Sequence, residues 1–106
     1  MATQETFAPP EPAVAGRSRS DYDDFVGVYS WGGDYNDTIT REGNHLYARE
    51  NFGAGRYELM PEGGDRFFPK GYGVETIVFT RDARGKVTGY VAHDGGNAIA
   101  VAQKVR

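Results

Sequence analysis

The segment RDARGKVTGYVAHDGG, Arg81–Gly96, predicts the fold class because it holds one complete strand between two turns. Asp82–Gly85 has the composition of a tight turn, and Asp94-Gly95-Gly96 has the composition of a second one. The residues between them, Lys86–His93, are rich in β-branched and aromatic side chains and too few for a helix of ordinary length. This segment is therefore interpreted as a strand of a hairpin.

Similar short segments recur at regular intervals from Phe25 onward. The predicted strands are Phe25–Trp31, Asp37–Arg41, His45–Glu50, Arg56–Met60, Arg66–Pro69, Glu75–Arg81, Lys86–His93 and Ala98–Lys104. Turns rich in glycine, aspartate and asparagine separate them, and no stretch after Phe25 keeps a helical period. About eight short antiparallel strands predict an all-β meander, which curls into a barrel or half-barrel to bury one face.

The alternation of residue types within a strand indicates which side chains share a face. Leu46 and Ala48 are expected on one face of their strand, and Ile77 and Phe79 on one face of theirs. In Lys86–His93, strict alternation puts Val87, Gly89, Val91 and His93 on one side, opposite Thr88, Tyr90 and Ala92.

The first 20 residues differ in composition from the rest of the chain. MATQETFAPPEPAVAGRSRS contains three of the five prolines and no periodic apolar pattern, so residues 1–20 are expected to be a flexible tail or a linker. Residues 21–106 are enough for one domain. At its start, Ser20-Asp21-Tyr22-Asp23-Asp24 predicts a cap on one helical turn.

Composition and charge exclude several classes of function. The net charge of −3 and the scattered basic residues argue against nucleic acid as a partner, since phosphate binding needs a concentrated basic surface. The absence of cysteine excludes a thiolate metal site and a cysteine nucleophile. No apolar run is long enough for a membrane span, and no signal peptide is recognised. A soluble protein is expected, in a compartment that the sequence leaves open.

His93 is the candidate for catalysis, because His93-Asp94-Gly95 matches the histidine–x–glycine pattern near the active site of some serine hydrolases. A catalytic histidine needs a nucleophile or a carboxylate placed beside it. Neither a Ser-x-x-Lys nor a Gly-x-Ser-x-Gly motif is present to supply one. We therefore interpret His93 as a structural or surface residue and predict no catalytic residue.

The residues that could bind a metal ion do not form a recognisable set. His45 and His93 without cysteine are a poor zinc set. The segment DYNDTITREG, Asp34–Gly43, offers the oxygen atoms of Asp34, Asn36, Asp37 and Glu42, but it lacks the spacing of a calcium-binding loop. No glycine-rich loop leads from a strand into a helix to hold a phosphate. No metal site and no cofactor are predicted.

Aromatic residues are the remaining feature with functional potential. Most of the seven tyrosines, six phenylalanines and one tryptophan are expected in the core, because rings fill the interior of a small β-domain. Rings on the other face could form a docking surface or the mouth of a pocket. The candidates for such a surface are Trp31, Tyr47, Tyr57 and Tyr90.

A known family shares several short motifs with this chain, in the same order. They are Phe25-Val26-Gly27-Val28-Tyr29, Gly43-Asn44-His45-Leu46-Tyr47, Leu59-Met60-Pro61 with Arg66-Phe67-Phe68, and Val78-Phe79-Thr80-Arg81-Asp82 with Gly85-Lys86-Val87-Thr88-Gly89. With these motifs the chain resembles the small C-terminal β-domain of β-lactamase-related, penicillin-binding-protein-like serine hydrolases. Phe25 stands where that domain begins with tyrosine, and the hydrolase domain itself, with its Ser-x-x-Lys motif, is absent from this sequence.

The resemblance implies a lipocalin-like barrel or half-barrel without catalytic residues, joined to a hydrolase domain by a proline-rich linker. The leading hypothesis is therefore a non-catalytic accessory domain that packs on a serine hydrolase domain of the same polypeptide. A rival hypothesis is a stand-alone barrel that binds a small apolar ligand in its mouth. A hydrolase that uses His93 ranks third.

Overall fold

Eight antiparallel strands close into one β-barrel in the computed structural model of the chain, which describes residues 22–53, 55–71 and 74–106. The strands are β1 (Gly27–Gly32), β2 (Tyr35–Glu42), β3 (His45–Glu50), β4 (Arg56–Gly63), β5 (Arg66–Pro69), β6 (Thr76–Arg81), β7 (Val87–Asp94) and β8 (Asn97–Lys104). Each strand pairs with its neighbours in sequence, and β8 returns to β1. The predicted all-β meander is confirmed, and it forms a closed barrel.

A short 3₁₀ turn, Asp23–Phe25, precedes β1. Tyr22 occupies its N-cap position and makes no side-chain capping hydrogen bond, while Ser20 and the rest of the predicted tail lie outside the described residues. The two acidic residues of the turn instead form ion pairs with the barrel. Asp23 lies 2.5 Å from Arg41 Nε, and Asp24 lies 3.2 Å from Arg81 Nη1.

Aromatic rings fill the interior of the barrel. Phe25, Tyr29, Phe67, Phe79 and Tyr90 are each at most 3% exposed. Phe79 contacts the other four, with ring centroids 4.5–5.7 Å apart in tilted or edge-to-face arrangements. Such pairs contribute about 0.5–1.5 kcal/mol each beyond the area that they bury.

The 3₁₀ turn closes one end of the barrel, at which the strand connections β2–β3, β4–β5 and β6–β7 also lie. Phe25 is fully buried there, and its carbonyl oxygen accepts a hydrogen bond of 2.7 Å from the hydroxyl of Tyr29. Arg81 crosses this end: it donates two hydrogen bonds of 2.9 and 3.0 Å to Asp65, and its guanidinium lies 5.4 Å from the ring centre of Phe25. The other end carries the connections β1–β2, β3–β4, β5–β6 and β7–β8.

The predicted sidedness is confirmed for β3 and β6. Leu46 and Ala48 are buried in β3, and Ile77 and Phe79 are buried in β6. These four side chains face the barrel interior, as the alternation of residue types indicated.

For β7 the strict alternation is wrong at Val87. The β6–β7 register shifts between Thr80 and Arg81, which pair with Gly89 and Val87, so that Thr88 is an extra residue on β7. Such a bulge reverses the sense of the alternation. Val87 is therefore buried together with Tyr90 and Ala92, while Thr88 is exposed.

Gly89 allows β7 and β8 to approach each other closely. A Cβ atom at this position would lie 2.2 Å from the carbonyl oxygen of Ala102, which no backbone tolerates without moving. The restriction concerns space, because Gly89 is not among the glycines with positive φ.

We predict that Gly89→Ala lowers the free energy of unfolding by about 1–3 kcal/mol, the range for overpacking a filled interior. Urea denaturation measures this change. Thr40→Ala, at an exposed position on β2, is the control and should stay within about 0.5 kcal/mol of the wild type. If the two substitutions lowered the free energy of unfolding equally, the close approach of β8 to Gly89 would be contradicted.

Candidate functional site

Three aromatic side chains form what we call the aromatic rim, at the end of the barrel opposite the 3₁₀ turn. Trp31 lies near the end of β1, Tyr35 begins β2, and Phe52 follows β3. The ring of Phe52 packs edge-to-face on both others, with centroid distances of 6.4 Å to Trp31 and 5.0 Å to Tyr35. Tyr35 is 58% exposed and Phe52 is 49% exposed, so the aromatic rim presents apolar surface to solvent.

Asn51 holds the aromatic rim in place by linking the β3–β4 connection to the start of β2. Its backbone N–H donates to the carbonyl oxygen of Asn36 (3.0 Å), and its side-chain oxygen accepts from the backbone N–H of the same residue (3.1 Å). Its side-chain amide donates to the carbonyl oxygen of Asp34 at 2.6 Å. With its backbone and both side-chain groups engaged, Asn51 fixes Phe52 against Tyr35.

A buried polar cluster lies beneath the aromatic rim. Asp37 is 1% exposed and Glu50, its cross-strand neighbour on β3, is 6% exposed. The hydroxyl of Tyr90 donates a short hydrogen bond to Asp37 Oδ2. The ring of Trp31 packs edge-to-face on Tyr90, with 6.1 Å between centroids, and so connects this cluster to the aromatic rim.

Two polar atoms of the cluster are buried without a complete hydrogen bond. Asp37 Oδ1 and Trp31 Nε1 have no partner of normal geometry among the described residues. The indole N–H nevertheless lies close enough to lower the pKa of Asp37 somewhat. An acceptor and a donor that both lack a complete bond are costly inside a protein.

Burial dominates the protonation of this cluster. It raises the pKa of Asp37 above the usual 3.8, and the hydrogen bond from Tyr90 offsets part of that effect. The neighbouring carboxylate of Glu50 raises the pKa of Asp37 further. Burial, followed by the charge of Asp37, also raises the pKa of Tyr90, so that its hydroxyl stays a hydrogen-bond donor.

The structure does not bring the four residues selected from the sequence together on one exposed surface. Trp31 belongs to the aromatic rim, but Tyr90 is 2% exposed and lies inside the barrel. Tyr57 is half-buried against the core. Tyr47 packs on the barrel wall under the guanidinium of Arg56, 4.0 Å from the ring centre.

Sequence reasoning missed Tyr35, Phe52 and the buried role of Asp37. Tyr35 and Phe52 each adjoin a glycine-containing turn, and both turns fall at one end of an up-and-down barrel. That placement could have indicated the aromatic rim. For Asp37 the sequence predicts the start of a strand and an oxygen atom that could bind calcium, but an acidic residue within a strand carries no signal of its burial.

His93 lines an open groove on the outside of the barrel. Its cross-strand neighbour on β6, Thr76, lines the same groove. The groove has a volume of about 850 Å³, and Glu62, Arg66, Phe68, Glu75 and Gly96 complete its lining. Nδ1 of His93 is buried and makes no hydrogen bond to a described residue. His45 is elsewhere on the surface, with Nδ1 2.6 Å from Glu58 Oε2.

The described residues lack both a candidate metal-binding cluster and a membrane-spanning helix. They contain no group of three or more histidine, cysteine, aspartate or glutamate side chains that could hold a metal ion. Residues 22–53, 55–71 and 74–106 also include no helix that is long and apolar enough to cross a membrane.

Comparison with known proteins does not assign the chain to a family. No family model matches it, and no curated protein matches it. The resemblance to the C-terminal domain of β-lactamase-related hydrolases therefore stays a prediction that depends on the quoted motifs.

We predict that Asp37→Asn changes how stability depends on pH. Because the pKa of Asp37 is higher in the folded state than the usual 3.8, the folded state binds the proton more tightly than the unfolded state. As pH rises from about 4 through the raised pKa, the wild type therefore loses the contribution of the protonated Asp37 carboxyl group to the free energy of unfolding. The asparagine variant has no such contribution to lose. The free energy of unfolding of the variant, relative to the wild type, should rise between about pH 4 and pH 7 in urea titrations.

Asp34→Asn, at an exposed position on the same end of the barrel, is the matched control. For each variant, the free energy of unfolding relative to the wild type is compared across the pH range. If this quantity depends on pH in the same way for Asp37→Asn and Asp34→Asn, the buried carboxyl group is not the source of the pH dependence.

Proposed function

We propose that this chain is a non-catalytic accessory domain that packs on a serine hydrolase domain of the same polypeptide. The observation that carries the proposal is that aromatic rings fill the barrel interior while the aromatic rim is about half exposed. Because side chains fill the barrel interior, a partner domain would contact the outside of the barrel. Burying two half-exposed rings is a typical way in which an interface gains affinity.

The position of the aromatic rim supports a docking role. Its rings are held by packing against one another and by the hydrogen bonds of Asn51, so little side-chain freedom is lost when a partner covers them. In this proposal the domain contributes binding and positioning, and any bond chemistry belongs to the hydrolase domain.

The rival proposal, a small apolar ligand, uses the same end of the barrel. It is favoured by Trp31 Nε1 and Asp37 Oδ1, which are buried beneath the aromatic rim without complete hydrogen bonds. A small molecule with an apolar body and one polar group could satisfy them. Because rings occupy the barrel centre, such a molecule would bind among the rings of the rim and not deep inside.

The proposed function predicts that the native polypeptide in the source cells is several times heavier than the 11.6 kDa of this chain. An antibody raised against the domain measures that mass by immunoblot. A band at 11.6 kDa would overturn the accessory-domain proposal and leave the ligand-binding proposal. The larger polypeptide should also hydrolyse a small ester such as p-nitrophenyl butyrate.

In that larger polypeptide, Tyr35→Ser combined with Phe52→Ser should weaken the packing of the two domains. The loss of two buried rings is expected to raise the rate at which trypsin separates the domains by at least about tenfold, which corresponds to about 1.4 kcal/mol. Tyr47→Ser, which removes an aromatic ring from the barrel wall, is the control and should leave that rate unchanged. A rate unaffected by the rim substitutions would exclude the aromatic rim as the docking surface.

Thermal denaturation of the 106-residue chain with a panel of long-chain fatty acids and other apolar compounds tests the rival proposal. A bound ligand at 100 times its Kd stabilises the folded state by about 2.7 kcal/mol. A compound that raises the Tm of the wild type but not of Phe52→Ser would establish ligand binding at the aromatic rim. The accessory-domain proposal expects no such compound.

A further inference from the structure

The open groove beside His93 runs across the outer wall of the barrel from β4 to β7. Its volume of about 850 Å³ lies within the range of about 300–1,000 Å³ that is typical of small-molecule sites. No residue of the aromatic rim lines it. The groove is therefore a second surface, separate from the one that carries the proposed function.

The strands bring four functional side chains together in this groove. On β5, Arg66 and Phe68 flank the fully buried Phe67 and therefore share the outer face of the barrel. On β6 and β7, Thr76 and His93 lie directly opposite each other. Since all four line the groove, a guanidinium, an aromatic ring, a hydroxyl and an imidazole surround one space.

Three of these side chains have hydrogen-bonding groups that the described residues leave unused. Thr76 is only 6% exposed, and its hydroxyl makes no hydrogen bond to another described residue. Nδ1 of His93 is buried without a partner, so Nε2 is the ring nitrogen through which a molecule in the groove can be bound. The Arg66 guanidinium has one partner among the described residues, Glu62, whose Oε1 lies 3.5 Å from its Nε. Both Nη groups of Arg66 remain open to a ligand.

The two carboxylates of the groove are already engaged within the protein. Glu62 is paired with Arg66, and Glu75 Oε1 accepts a hydrogen bond of 3.3 Å from the backbone N–H of Gly96. The groups left open are therefore mainly donors, which suit an anion. The same two carboxylates repel a doubly charged anion such as phosphate, so an anion with a single charge fits better.

We propose that this groove binds a small organic monocarboxylate with an apolar body. The carboxylate accepts hydrogen bonds from the two Nη groups of Arg66, a geometry that engages both of its oxygens. The Thr76 hydroxyl and Nε2 of His93 are the further donors. The apolar body lies on Phe68, which is 36% exposed. Because the groove is separate from the aromatic rim, this proposal goes beyond the accessory-domain proposal and does not depend on it.

Titration of the isotopically labelled 106-residue chain with benzoate, followed by NMR of the backbone amides, tests the proposal. The amide signals of Arg66, Thr76 and His93 should shift saturably, with half-saturation below about 1 mM. Benzamide has nearly the same shape but no charge. It should bind at least about tenfold more weakly, because it cannot form the charge-assisted pair with Arg66.

Two substitutions in the groove should change benzoate binding in opposite directions. Arg66→Gln should weaken it at least about tenfold. Glu62→Gln should strengthen it, because this substitution removes the carboxylate that competes for the guanidinium. Arg84→Gln, at an exposed position in the β6–β7 connection, is the matched control and should leave binding unchanged.

The amide spectrum of each variant establishes that its barrel is folded. Shifts that do not saturate would overturn the proposal, and so would benzamide binding as tightly as benzoate. A folded Arg66→Gln variant that binds benzoate like the wild type, or a folded Glu62→Gln variant that binds it more weakly, would also overturn it.

Discussion

The structure depends on placing five aromatic rings inside a barrel of only eight short strands. Phe79 is at the centre of this set and contacts the other four rings. Two of the rings are tyrosines, whose hydroxyl groups need acceptors in the interior. Tyr29 finds the carbonyl oxygen of Phe25, and Tyr90 finds the carboxylate of Asp37. The rings thereby determine both the 3₁₀ turn at one end and the buried carboxyl group near the other.

The two ends of the barrel are closed by different kinds of interaction. At the end with the 3₁₀ turn, Arg81 joins Asp24 and Asp65 around Phe25, so charged groups lie over an apolar plug. At the opposite end, the rings of the aromatic rim lie above a polar cluster. Apolar surface is therefore exposed at the second end, where Tyr35 and Phe52 are each about half exposed.

The strand order and most strand positions could be predicted from the sequence, because turn residues and alternation are local signals. Arg66–Pro69 and His45–Glu50 occur in the structure with the predicted bounds. Val87 was assigned to the wrong face, since a bulge at Thr88 leaves no distinct mark in a run of β-prone residues. The burial of Asp37 could not be predicted, because it depends on a hydroxyl far away in sequence, that of Tyr90.

The aromatic rim was less predictable than the fold. Trp31 contacts Phe52, and Phe52 contacts Tyr35, only because two turns meet at one end of the barrel, which no local pattern in the sequence indicates. Interaction surfaces of this kind arise from closure of the barrel and not from any single segment.

The limited pairing of β1 with β8 also has a consequence for how the barrel folds. Seven of the eight strand contacts join neighbours in sequence, and they form with little loss of loop entropy. The β1–β8 contact joins opposite ends of the described chain, yet its register holds only two residue pairs. Closing this contact costs the most loop entropy, and its register is among those with the fewest residue pairs. It should therefore form last and open first. The folded protein is therefore expected to open locally between β1 and β8. The amide hydrogens of Tyr29 and Lys104 should then exchange sooner than those at the centre of β6 and β7.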